Sequence, residues 1–166
     1  MYRIAIIGGG RRILPLARLL VRKEDFSIAA ICDTDIETAK KRFEDFSGVT
    51  YYEDAEEMLK KEKPDGVMIG TRCSSHTHYA MTVAKYGVPF FLEKPVCTTE
   101  EDLARLKTLL PINDRVVVSF PLRLCEMTRT VKGIIDSGRI GKIAHVQAYN
   151  NVPYARGYYH KWYRDV

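Results

Sequence analysis

Apolar residues fall into short unbroken runs, separated by stretches in which they recur every three or four positions. The runs cover residues 3–8, 27–32, 66–70, 88–92 and 115–120. They are rich in Ile, Val and Phe and do not alternate with polar residues, as in strands covered on both faces. Ile13, Leu16, Ala17 and Leu20 mark one face of a helix. Thr34 with Glu37, and Thr98 with Glu101, have the spacing of capping boxes. A helix is predicted over 75–86, stopped by Gly87 and Pro89. Another is predicted over 124–136, with Leu124, Met127, Val131, Ile134 and Ile135 on one face and Gly138 beyond its end. The alternation of strand and helix predicts βαβ units, hence an α/β fold with a doubly wound parallel sheet over residues 1–120. A crossover helix and joint are expected over 121–141. Residues 143–149 read as a new strand, followed by Tyr154, Tyr158, Tyr159, Trp162 and Tyr163. Since one strand is not stable alone, residues 142–166 read as the incomplete start of a second, α+β domain. It is expected to pack on the first domain or on another copy of the chain, the latter giving a homo-oligomer.

Composition and charge narrow the function classes. Of 166 residues, 46% are apolar and 28% charged, which excludes disorder for the bulk of the chain. No apolar run approaches the roughly 20 residues of a membrane span, and the chain enters a strand pattern at once, without the layout of a secretory leader. A cytoplasmic protein with no membrane partner is expected. Cys32, Cys73, Cys97 and Cys125 form no C-x-x-C pair. The expectation is four buried or half-buried thiols, with no disulfide and no metal site. Residues 1–120 balance 18 Lys/Arg against 18 Asp/Glu, whereas 121–166 hold 8 against 3, so the net +5 lies wholly there. These charges stand singly among apolar residues. That argues against nucleic acid and for a protein surface or a phosphorylated ligand.

Four segments carry candidate chemistry. Gly8-Gly9-Gly10-Arg11-Arg12-Ile13 follows a strand and opens a helix, where a dinucleotide fingerprint belongs. Gly8 allows a tight turn and Gly10 lets backbone approach a pyrophosphate. Ile13 stands where G-x-G-x-x-G has its third glycine, which predicts a wider helix–sheet contact or a longer loop. Asp33, at the end of the second apolar run, can accept both hydroxyls of an adenine ribose and would repel a 2′-phosphate. That favours NAD over NADP, while Arg11 and Arg12, as phosphate binders, pull the other way. Thr71-Arg72-Cys73-Ser74-Ser75-His76 lies at the carboxyl end of another strand, where open α/β sheets bind ligands. Ser74 or Ser75 can cap the following helix. His76 in its first turn is either structural or close to the ligand, and His78 reads as surface. Glu93-Lys94-Pro95 ends the strand Phe90-Phe91-Leu92. It is either a surface ion pair or a lysine held rigidly at the crevice, where an ammonium can polarise a substrate hydroxyl.

Taken in order, the glycine loop, Cys32-Asp33, Thr71 to His76 and Glu93-Lys94-Pro95 resemble the Gfo/Idh/MocA oxidoreductase family. Ile135-Asp136-Ser137-Gly138-Arg139-Ile140-Gly141-Lys142-Ile143 resembles that family's joint between domains. Ile13, Arg72 and Cys73 depart from the family pattern. The resemblance implies hydride transfer between a nicotinamide, NAD or NADP, and a sugar-like or polyol alcohol. It implies that Lys94 meets the substrate hydroxyl and cofactor ribose and that Glu93 holds the nicotinamide end. It further implies that the bond before Pro95 is cis, that Thr71, Arg72 and His76 line the cofactor, and that Arg123 faces cofactor or substrate. The substrate pocket and an acid/base histidine would belong to a second domain, and the 166-residue chain alone would bind dinucleotide with little or no turnover. Two other readings are a relative that cleaves glycosides with NAD and a cofactor-binding regulatory module without chemistry.

Overall fold

The computed structural model describes residues 1–109, 115–149 and 151. It divides into two compact units, Met1–Ser119 and Phe120–Val166. The first unit holds six parallel strands: β1 (Tyr2–Ile7), β2 (Phe26–Cys32), β3 (Thr50–Tyr52), β4 (Gly66–Ile69), β5 (Phe90–Leu92) and β6 (Val116–Val118). Their spatial order is β3-β2-β1-β4-β5-β6. Helices α1 (Ile13–Val21), α2 (Ile36–Arg42), α3 (Ala55–Glu62), α4 (His76–Lys85) and α5 (Glu100–Lys107) connect them. This is the doubly wound arrangement, with its order reversing between β1 and β4.

The unbroken apolar runs follow from burial on both faces. In β1, Ile4 and Ile6 point into a core shared with Ile13 and Ala17 of α1 and with Ala39 and Phe43 beneath α2. Ala5 and Ile7 point the other way, into a core with Met58 and Leu59 of α3 and Ala80 and Val83 of α4. Successive strand side chains face opposite layers, and each large one buried there contributes about 1.5–3 kcal/mol. Arg3 fastens the start of β1 to the end of α3, with Nη2 2.6 Å from Glu62 Oε2, and the Tyr52 hydroxyl donates to the same carboxylate at 2.6 Å. That hydrogen bond, ahead of burial and the Glu62 charge, pushes the Tyr52 phenol up to about 12.

Several local expectations shift. Asp35, not Thr34, caps α2, its carboxylate accepting from the Thr38 amide. Thr99, not Thr98, caps α5 by accepting from the Asp102 amide. Ser75 stands at the N-cap of α4 without bonding the helix backbone, because its hydroxyl donates to the Arg72 carbonyl instead. The pattern does not reveal β3 and α3: β3 has three residues, and α3 is mostly charged.

In the second unit a 3₁₀ turn, Pro121–Leu124, precedes α6 (Glu126–Asp136), so Leu124 falls outside the helix predicted to include it. Gly138, at a φ of +70°, follows the end of α6. The strand expected over 143–149 is absent: the segment is exposed and pairs with no strand among the described residues, and a ladder needs a partner. Tyr154, Tyr158, Tyr159, Trp162 and Tyr163, and with them most of the segment expected to mediate self-association, lie outside the described residues.

Candidate functional site

The reversal of strand order sets the carboxyl ends of β1 and β4 side by side, and the sequence loads both with small or polar residues. Gly8 leaves β1 at a φ of +87°, and a Cβ there would stand 2.7 Å from the Thr71 amide nitrogen. Only glycine lets the two loops meet so closely. Gly9 packs on Ile31 and Ala39, and a Cβ on it would lie 3.5 Å from Asp33 Oδ2. Gly10 is more open, 3.8 Å by the same measure from the Gly70 carbonyl oxygen. The turn is therefore bare backbone, a cradle that side chains would fill. Arg42, at the end of α2, pins it by donating Nη1 to the Gly9 carbonyl at 2.6 Å. No local motif links two residues so far apart in sequence, so Arg42 escapes a sequence reading.

Ile13 does not widen the helix–sheet contact as expected. It is fully buried on Gly70, where a Cβ would come within 2.9 Å of its Cδ1. The room that a third glycine leaves on the helix is here left on the strand. Helix α1 opens at Ile13 with no side-chain cap and no acid in its first turn. In its first turn the Leu14 amide donates to the Gly10 carbonyl at 3.4 Å and Pro15 has no N–H, so the Ile13 amide and the helix dipole are what an anion can meet there, and Arg11 and Arg12 stand exposed beside it. Asp33 sits half-buried at the end of β2, where its Oδ1 accepts from the Asp35 amide at 3.0 Å and its own amide donates to the Tyr52 carbonyl. This combination fits a dinucleotide: bare backbone and a helix N-terminus for a pyrophosphate, and a fixed carboxylate beside them for ribose hydroxyls.

The loop after β4 turns through a 3₁₀ segment, Cys73–Ser75, in which Ser75 Oγ lies 2.9 Å from both the Thr71 hydroxyl and the Arg72 carbonyl. Arg72 is exposed. His76, 1% exposed, spans from this loop to the next: Nε2 is 3.2 Å from the Thr71 carbonyl and Nδ1 2.6 Å from the Pro95 carbonyl. Its ring is occupied by backbone rather than presented to solvent, whereas His78 is exposed.

Glu93 and Lys94 form no ion pair. Glu93, 6% exposed, accepts from Ser119 Oγ at 3.0 Å, and its amide donates to the Ile69 carbonyl. Lys94 is exposed and makes no ion pair among the described residues. Neighbours at a strand end point to opposite sides, which separates the two charges. The Lys94–Pro95 bond is cis, as the family resemblance implies. The residues thus joined are Gly8 with Thr71, Gly9 with Asp33, Ile13 with Gly70, and Thr71 with His76 and Pro95. Arg123 belongs to the other unit, its guanidinium 5.3 Å from the centre of the Phe120 ring.

All four cysteines are free, with Cys32 buried and the others half-buried. Burial first, then the Asp54 and Asp33 charges, push the Cys32 thiol up to about 12, which leaves it inert. No group of three metal-ligating side chains occurs among the described residues. None of their helices is long and apolar enough to cross a membrane.

Strand order and glycine cradle together define a Rossmann domain. The chain belongs to the Gfo/Idh/MocA family, an oxidoreductase family with an NAD-binding Rossmann fold, which matches residues 2–120. Inositol 2-dehydrogenase of Azotobacter vinelandii is 29% identical over 118 residues, covering 69% of this chain and 35% of that protein. Glycosyl hydrolase family 109 protein 2 of Akkermansia muciniphila is 35% identical over 115 residues, covering 61% and 23%. Among solved structures, the WlbA dehydrogenase from Bordetella pertussis, in complex with NADH and UDP-GlcNAcA, superposes with a TM-score of 0.76 at 27% identity. The match covers 86% of this chain and 41% of that one. The chain spans less than half the length of each of these relatives.

Proposed function

We propose that this chain is the nucleotide-binding half of an oxidoreductase that moves a hydride between a sugar-like or polyol alcohol and NAD. The observation that carries the reading is the run of contacts from the glycine cradle through Thr71 and His76 to Pro95. It ties the phosphate end of the crevice to the loop that carries Lys94. A bound nicotinamide supplies the site that takes or gives the hydride. The chain's own residues do the rest. The backbone of Gly8 to Gly10 and the start of α1 hold the pyrophosphate, with Arg11 and Arg12 beside it. Asp33 accepts the ribose hydroxyls and turns away a 2′-phosphate, which favours NAD over NADP. Lys94 polarises the substrate hydroxyl and helps it lose its proton. Glu93, turned inward onto Ser119, holds the strand end from which Lys94 projects. Thr71 and Arg72 line the crevice between. The substrate pocket and the partner acid/base belong to the additional length that the relatives possess.

Fluorescence titration tests this directly. The 166-residue chain binds NADH, binds NADPH more weakly, and oxidises no polyol. In a protein of the relatives' full length, Lys94→Ala lowers kcat by about 10² or more, well beyond the roughly tenfold that it costs NADH affinity. Absence of NADH binding, or full turnover by the 166-residue chain, overturns the proposal. The match to a glycosyl hydrolase family 109 protein favours a second reading, cleavage of a glycosidic bond with no net redox change. Product formation without stoichiometric NADH release selects that reading.

A further inference from the structure

We propose that His76 is a positioning residue that sets the Lys94 amine against the cofactor. The inference rests on the reading above, in which the crevice binds a nicotinamide dinucleotide with Lys94 at its reactive end. Lys94 lies two residues beyond β5, a strand of only three residues. On its N-terminal side the chain is fixed by the Glu93 amide on the Ile69 carbonyl and by the Glu93 carboxylate on Ser119. On its C-terminal side α5 begins only at Glu100. Between them Val96 packs on the core, and the imidazole holds the carbonyl of Pro95, the residue next to Lys94, at 2.6 Å.

The other end of that tie is itself held fast. His76 opens α4, and its Nε2 sits 3.2 Å from the Thr71 carbonyl. Thr71 abuts Gly8 of the phosphate cradle and is knitted to Ser75 by their hydroxyls. The ring, buried to 1% exposure, therefore couples the loop that meets the phosphates to the loop that carries the amine. Both partners are carbonyl oxygens, which only accept, and a ring with a single N–H donates to one of them: Nδ1–H on the nearer Pro95 carbonyl is the bond that holds the amine's loop, with Nε2 packed on the Thr71 carbonyl. A leucine of similar bulk fills the space and ties neither loop. Asparagine offers one N–H in the place of Nδ1, and glutamine one in the place of Nε2.

A double-mutant cycle read by binding tests the coupling. Wild type, Lys94→Ala, His76→Leu and the double variant of the 166-residue chain are titrated with NADH and with ADP-ribose, which lacks the nicotinamide. His76→Leu is expected to weaken NADH about tenfold, as Lys94→Ala does, and to change ADP-ribose affinity less than twofold. The double variant is expected to bind NADH no worse than either single one. His76→Asn, which keeps a donor for Pro95, should recover most of the loss. His76→Gln, whose N–H reaches only the Thr71 carbonyl, should not, and it serves in place of the leucine variant if that one fails to fold. Additive losses in the cycle, or equal losses for NADH and ADP-ribose, overturn the positioning role. A wild-type chain that binds neither ligand overturns the reading beneath it.

Discussion

Helices α2, α3 and α5 begin on Asp35, Asp54 and Thr99. Each of these side chains accepts from the backbone amide three residues on, and each helix carries acid in its first turn. Helices α1 and α4 begin on Arg12 and Ser75, with no side-chain cap and no acid in the first turn. The first group could stand in many α/β proteins. The second group rises from the two strand ends between which the sheet order reverses. A cap contributes about 1 kcal/mol; it is missing at α1 and α4, where on the proposed reading a carboxylate would compete with a phosphate, and also at α6, which begins on Cys125 but carries Glu126 in its first turn. The difference is between helices whose starts are fixed by their own side chains and two whose starts, on the proposed reading, face a ligand.

The largest effect is expected at Gly8. Gly8→Val places a branched side chain at positive φ against the Thr71 amide. It is expected to abolish NADH binding and to lower unfolding free energy by more than about 2 kcal/mol, as read by denaturant titration. Arg12→Asp comes next. It gives α1 the negative charge that the other group carries, and NADH affinity should drop about tenfold or more with melting temperature level or raised. Unchanged affinity would mean that the bare start of α1 has nothing to do with a ligand. Asp54→Ala and Thr99→Ala each cost about 1 kcal/mol of stability and shift NADH affinity less than twofold, which sharpens the contrast from the other side. The smallest effect is at Asp35, whose carboxyl is held below its usual range first by the Thr38 backbone amide. A depressed folded value means that its contribution is present above roughly pH 4 and fades as pH falls through the lower folded value. Asp35→Asn should flatten that acid limb in a pH series of melting curves.

Much of the fold is legible in the residues. Long apolar runs such as Ile4 to Ile7 and Ile28 to Cys32 can only be strands covered twice over, and glycines after β1 and α4 mark the turns. Capping residues are legible only to within one position, because Thr34, Asp35, Thr98 and Thr99 all have suitable side chains and backbone geometry chooses among them. β3 is hidden because Thr50 to Tyr52 is too short to show a period. In the site, Gly8, Gly10 and Asp33 stand out through local spacing. Glu93 and Lys94 are adjacent in sequence yet separated by the pleat, which spacing alone cannot distinguish from an ion pair. Arg42, Ser119 and the backbone partners of His76 are joined to the site only through the folded chain.

The seating of Ile13 on Gly70 makes the last letter of the dinucleotide fingerprint a statement about volume rather than identity. One methyl-free surface is required where helix meets strand, and either side can provide it. While position 13 keeps a branched side chain, an alanine at position 70 would press on it, so the two positions share one volume. A glycine at 13 would free 70 to carry a side chain, so the fingerprint is met by paired volumes where its letters are not.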